Sequence, residues 1–142
     1  MEHSEETLGR KNDIKLPMNA AQFFVRCLEN EGVKYIFGIP GEENIRVVDA
    51  FNGSSIRFLL VRHEQAASFM ADIYDRLTGQ PGVCIATLGP GAINLALGTA
   101  DANTDSVPLV AISAQVGLNR IYKESHQIVD LVCSNRSQSG PP

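Results

Sequence analysis

Short apolar runs alternate along the chain with stretches in which apolar residues recur every three or four positions. The clearest case is IRFLLVRHEQAASFMADIYDRLTGQPGVCIATLGPGAIN, residues 56–94. Residues 58–61 form an apolar run of strand length that breaks at Arg62, His63 and Glu64. Ala66, Met70, Ile73 and Leu77 then recur at helical spacing until Gly79 and Pro81 end the helix. Residues 83–87 are nearly all apolar, as in a strand covered on both faces. Gly89, Pro90 and Gly91 turn the chain into a helix of small residues over 92–104. Upstream, Asn19 is a good N-cap for a helix over 20–31, with Phe24, Cys27 and Leu28 on one face and Gly32 as its stop. Residues 34–39 read as a short buried strand, broken by Pro40 and Gly41 before a helix over 43–51 that Asn52 and Gly53 close. Pro108 introduces a last strand over 109–113.

Short strands alternating with longer helices are the pattern of βαβ units. The expected fold class is α/β, a doubly wound parallel sheet with helices on both faces. Right-handed crossovers place every strand-to-helix loop on one edge of such a sheet. Residues 38–42, 62–64, 87–91 and 113–115 should therefore meet there, at the edge where open α/β sheets bind ligands.

Composition narrows the picture. With 142 residues the chain suits one domain, taken here as residues 18–132 after a loose polar arm over 1–17. No apolar run approaches the roughly 18 residues of a membrane span, and no signal-like h-region occurs, so a cytoplasmic protein without a membrane partner is expected. A net charge of −4 without a Lys/Arg cluster gives no footprint for nucleic acid. Cys27, Cys84 and Cys133 form no CxxC pair, and the expectation is reduced cysteines used as small core residues.

Two of the loops on the edge are glycine-rich. Gly89-Pro90-Gly91-Ala92-Ile93-Asn94 has two glycines of the dinucleotide fingerprint and lies in a later turn than that motif requires. No GxxxxGK[ST] occurs, so tight turns account for most of these glycines without a phosphate. Glu64 is different. An acid in the first turn of a helix gains from the helix dipole, but Ala66, Ala67, Ser68 and Ala71 give this helix a close-packing face that would shield the carboxyl from water. A shielded carboxyl can share a proton near neutral pH. His63 is expected to pack or to cap.

The stretch FGIPGEEN, followed by VRHEQAASFMADIYDRLTGQPGVCIATLGPGAINL and ADANTDSVPLVAIS, resembles the N-terminal pyrimidine-binding domain of thiamine diphosphate-dependent enzymes. Within them it is most similar to acetolactate synthase large subunits, over about residues 19–132. GxPGEEN and the later KESHQ with Asp130 resemble the variety that carries no catalytic flavin. The resemblance implies that Glu64 is the catalytic glutamate, which hydrogen-bonds N1′ of the aminopyrimidine and promotes removal of the thiazolium C2 proton. The cofactor then decarboxylates pyruvate and passes the two-carbon unit to a second keto acid. It further implies a pyrimidine pocket lined by Pro40, Gly41, Gly89, Pro90, Gly91 and Asn94, with Gln127 near the substrate entrance.

Leu88 and Ile93 depart from the serine and threonine usual in TSGPGATN, as does Arg46 from the apolar or acidic residue usual there, so a slightly altered pocket is expected. In the family Mg²⁺ and the diphosphate are held by a separate C-terminal domain with a GDG motif, which this sequence lacks. The chain then supplies half a site, inactive alone. It is expected to self-associate through small-residue faces around Ala67 and Ala71 and around Gly98 and Ala102, or to pair with a chain carrying the diphosphate domain. A stand-alone subunit of that second kind is the alternative reading, and the incomplete fingerprint argues against a flavodoxin-like or dinucleotide module. Residues 133–142, CSNRSQSGPP, are expected to be disordered and the product of a frameshift. Codons allowed for Val132 to Pro142, read from the last base of the Val132 codon, can encode LFKPITKW, which resembles the family's continuation.

Overall fold

The computed structural model describes residues 17–117, 119–121 and 127–130. The expectations for residues 1–16 and 133–142, Cys133 included, lie outside the described residues.

The chain runs α1 (Ala20–Asn30), β1 (Tyr35–Gly38), α2 (Ile45–Ala50) with a 3₁₀ turn Phe51–Gly53, β2 (Arg57–Leu60), α3 (Glu64–Thr78), β3 (Gly82–Ala86), α4 (Pro90–Thr104) and β4 (Leu109–Ser113). All four strands are parallel in the order β2-β1-β3-β4. The fold is α/β with helices on both faces, as the alternation implied. Along the strands successive side chains part to opposite faces. Phe37, Cys84 and Ala86 join Ala67, Ala71 and Leu95 of α3 and α4 in one core cluster. Ile36, Val83 and Ile85 join Val25 of α1 and Phe51 in the other. β3, central and covered twice, is buried at every residue.

Local chemistry sets the helix ends. At α1, Asn19 Oδ1 accepts from the Gln22 amide at 2.9 Å while Gln22 Oε1 accepts from the Asn19 amide at 3.0 Å, a reciprocal capping box. Gly79 ends α3 at φ 66°, a conformation glycine adopts without steric cost. α4 begins two residues before the expected start because Pro90, pre-set in φ and lacking an N–H, fits its first turn. α2 starts later than expected, at Ile45, because Asn44 is used in the loop before it.

Three expectations are corrected. The buried stripe of α1 is rotated by one position: Val25 is buried, while Phe24 and Cys27 are exposed. The stripe of Phe24, Cys27 and Leu28 is the more apolar one in sequence, yet packing on the sheet beside Ile36 and Val83 selects Val25, with Leu28 partly buried beside it. Cys84 is a core residue, its thiol pushed up to about 12 by burial, but Cys27 is not one. Finally, the small residues proposed as an outer face are internal. Ala67, Ala71 and Ala102 are buried, and a Cβ on Gly98 would stand 2.6 Å from Ser68 Cβ and 2.9 Å from the Phe69 amide nitrogen. They let α3 and α4 pack against each other. The apolar surface left exposed on these helices is instead Met70, Ile73 and Leu77 of α3 and Ile93 and Leu97 of α4.

Gly98→Ala is accordingly expected to lower stability by about 1–3 kcal/mol, the usual range for overpacking. Gly53→Ala, where nothing lies within 4 Å of the added atom, serves as the control. Denaturant midpoints measure both, and equal midpoints would show that the helices yield without cost.

An ion-pair cluster absent from the sequence reading fixes the far end of this helix pair. Asp72 is 1% exposed and receives Arg76 Nε at 3.0 and 3.1 Å, and Arg76 Nη2 reaches Asp105 beyond α4 at 2.8 Å. The two carboxylates hold the Arg76 guanidinium above its ordinary range, Asp72 first.

Candidate functional site

The site forms where the loops after β1 and β3 meet the start of α3. His63 caps α3, its Nδ1 accepting from the Gln65 amide at 3.2 Å, and it is exposed, so it caps rather than packs. Its position at the N-cap puts Glu64 first in the helix, where the unpaired amide dipoles favour a carboxylate. Glu64 is half-buried. The shielding expected from its small neighbours is partial, because Ala67, Ser68 and Ala71 face the interior rather than cover the carboxyl.

Across from Glu64 lies the first turn of α4. Asn94 Nδ2 donates to Glu64 Oε2 at 3.0 Å. A Cβ on Gly91 would stand 3.2 Å from Glu64 Oε1 and 3.1 Å from Thr87 Cγ2. Thr87 in turn fills the space beside Gly41, where a Cβ would come within 2.7 Å of Thr87 Cβ and 2.8 Å of its Oγ1. Gly89, at φ 58° and ψ −123°, needs glycine on both counts: its backbone is in the left-handed half of the map, and a Cβ would meet the Gln127 carbonyl.

The structure thus brings Gly41, Glu64, Gly89, Gly91, Asn94 and Gln127 into one chain of contacts. Pro40 and Pro90 stand exposed beside it. Gln127 arrives through its backbone, in a turn at φ 57°, with the Gln115 side chain donating to the nearby Val129 carbonyl at 3.1 Å. Among the departures, Leu88 is buried, whereas Ile93 and Arg46 are exposed.

Two residues of the site were missed by sequence reasoning. Asn44, 3% exposed, accepts from the Gly41 amide at 2.7 Å and donates to the Ile39 carbonyl at 3.1 Å, so it holds the Pro40-Gly41 loop in shape. The signal was present as an Asn three residues after a loop glycine, the spacing of a side chain that closes a turn on its own backbone. Thr87 is the spacer between the two glycine loops; its loop, residues 87–91, was placed at this edge, but its side chain was not singled out.

Chemically the arrangement is a carboxyl group with one oxygen tied to an amide. No described residue donates to the other oxygen. Gly91 lets its backbone approach that carboxyl closely, and Gly41 and Gly89 do the same toward Thr87 and the Gln127 turn. The remaining oxygen can accept a hydrogen bond when the group is ionised, or donate one when it is protonated.

Comparison with known proteins gives a family for the chain. Residues 18–133 match the family described as "Thiamine pyrophosphate enzyme, N-terminal TPP binding domain". The chain is 48% identical over 115 residues to "Acetolactate synthase isozyme 2 large subunit" of Escherichia coli (strain K12), covering 81% of this chain and 21% of that protein. It is 46% identical over 122 residues to "Acetolactate synthase, chloroplastic" of Arabidopsis thaliana, covering 85% and 18%. With "Acetolactate synthase" of Mycobacterium bovis it shares 47% over 115 residues, covering 80% and 19%. The chain spans about a fifth of the length of these curated relatives.

Proposed function

The chain belongs to the thiamine pyrophosphate enzymes, as their N-terminal TPP-binding domain, and on that premise we propose that it supplies the pyrimidine half of an acetolactate synthase active site. The observation that carries this is the Glu64 carboxyl at the start of α3, one oxygen held by Asn94 and the other open toward Gly91. Glu64 hydrogen-bonds the ring nitrogen N1′ and holds or releases a proton there, the general acid–base task for which a positioned carboxyl is suited. Gly41, Gly89, Gly91 and Thr87 shape the wall beside it, and the Gln127 turn closes one side of the Gly89 loop. Bound thiamine diphosphate supplies the nucleophilic carbon and the electron sink by which a keto acid is decarboxylated and joined to a second.

The diphosphate and its Mg²⁺ belong to another domain, carried by a further part of the protein or by a partner chain. The exposed Met70, Ile73, Leu77, Ile93 and Leu97 suit an interface with that domain or with a second copy. Among the described residues no helix is long and apolar enough to cross a membrane.

The test is a titration of ¹⁵N-labelled chain with thiamine, which offers the aminopyrimidine without the diphosphate. Amide shifts concentrated at Gly41, Glu64, Gly89 and Gly91 are expected. Shifts centred elsewhere, or none at millimolar thiamine, would remove the pyrimidine assignment.

A further inference from the structure

We propose that Asn94 acts on Glu64 rather than on the cofactor: its amide holds one carboxyl oxygen so that the other is presented to the glycine wall, which makes Asn94 a positioning residue. This rests on the reading of Glu64 given above. Two contacts carry it. Asn94 Nδ2 donates to Oε2 at 3.0 Å, and Oε1 lies 3.2 Å from where a Cβ on Gly91 would stand.

A carboxylate turns easily about its last torsion, whose wells are broad and twofold. A hydrogen bond to one oxygen fixes the plane of the group and hence the direction in which the second oxygen faces. The bond is charge-assisted when Glu64 is ionised, which strengthens it relative to a neutral pair. Its two ends stand on different helices. Glu64 is the first residue of α3, and Asn94 lies one turn into α4, on the side shared with Gly91, Leu95 and Gly98. Those helices meet in close contact at Gly98 and Ser68 and are joined again by Arg76 and Asp105 at the other end. The carboxyl is therefore aimed by a rigid helix pair rather than by the loops, the arrangement that holds a reactive group to a fraction of an ångström.

The first readout needs no cofactor. In ¹⁵N-labelled chain the Asn94 side-chain amide protons should shift when Glu64→Gln replaces the charged acceptor by a neutral one. They should stay in place in Glu42→Gln, at an exposed acid of the neighbouring loop. Asn94 amide signals identical in all three proteins would overturn the proposal, and would do so whatever the role of Glu64 in catalysis.

The second readout separates positioning from cofactor contact. Residues 18–132 are placed in the Escherichia coli relative in place of its matching segment, 48% identical. Asn94→Ala in that chimaera should lower kcat by about 10- to 100-fold, the worth of one hydrogen bond to a charged group. Half-saturation by thiamine diphosphate should stay within about twofold of the parent. A tenfold rise in that half-saturation at unchanged kcat would place Asn94 against the cofactor and overturn the proposal. Asn94→Leu, close in size and without a donor, gives the same division where the alanine variant does not fold.

Discussion

Purified chain given thiamine diphosphate, Mg²⁺ and pyruvate in excess should form no acetolactate. Decarboxylating pyruvate requires the cofactor to be held at both ends, because only a fixed geometry turns the encounter of cofactor and keto acid into an effectively unimolecular step. The described residues offer one end. They contain Glu64 and its glycine loops, but no three His, Cys, Asp or Glu side chains among them converge to hold a metal ion. With the diphosphate loose, the thiazolium carbon has no fixed place relative to the residues that must exchange a proton with the pyrimidine. A coupled assay for acetolactate decides the point, with the chimaera described above as positive control. Turnover by the isolated chain above the background of free cofactor would refute the half-site reading.

In the chimaera, Glu64→Gln should fold as the parent does and lose about 10²- to 10⁴-fold in kcat, the usual worth of a general acid–base group. The amide keeps the size of the side chain and keeps an oxygen for Asn94 to bond, so the helix pair is undisturbed. What it cannot do is give up or take on a proton at N1′. Two measurements are needed together: kcat, and the rate at which the C2 proton of the bound cofactor exchanges with solvent deuterium. If exchange in Glu64→Gln is as fast as in the parent, Glu64 is not the proton relay and the loss has another cause.

Much of the architecture was legible because its signals are local. The apolar run of β3, the helical spacing from Ala66 to Leu77, the Asn19 cap and the Gly79 stop each report a single element, and parallel order follows from their alternation. The sheet edge gathering Gly41, Glu64, Gly89, Gly91 and Asn94 was legible for the same reason, since a parallel sheet sends every such loop to one side. What escaped were features decided between elements. Whether Phe24 or Val25 faces the sheet depends on how α1 settles on Ile36 and Val83. Whether Ala67, Ala71, Gly98 and Ala102 face a partner or each other depends on the angle of α3 against α4. Asp72 and Arg76 went unread because charges four residues apart on a helix are commonplace, and only the fold reveals that Asp72 is sealed and that Arg76 spans to Asp105.

The central seam of the sheet bears on the order in which the protein folds. β1 meets β2 over four registered pairs and β3 meets β4 over five, whereas β1 meets β3 only at Phe37–Cys84 and Gly38–Ile85. The outer pairs join segments nearer in sequence, while the seam must close a longer loop, the kind of contact expected to form later when loop-closure entropy sets the pace. The seam also runs directly beneath the site. Gly41 belongs to the first half, while Thr87, Gly91 and Asn94 belong to the second. The contact of Gly41 with Thr87 therefore forms only when the two halves dock, whereas Glu64, Gly91 and Asn94 meet through α3 and α4 alone.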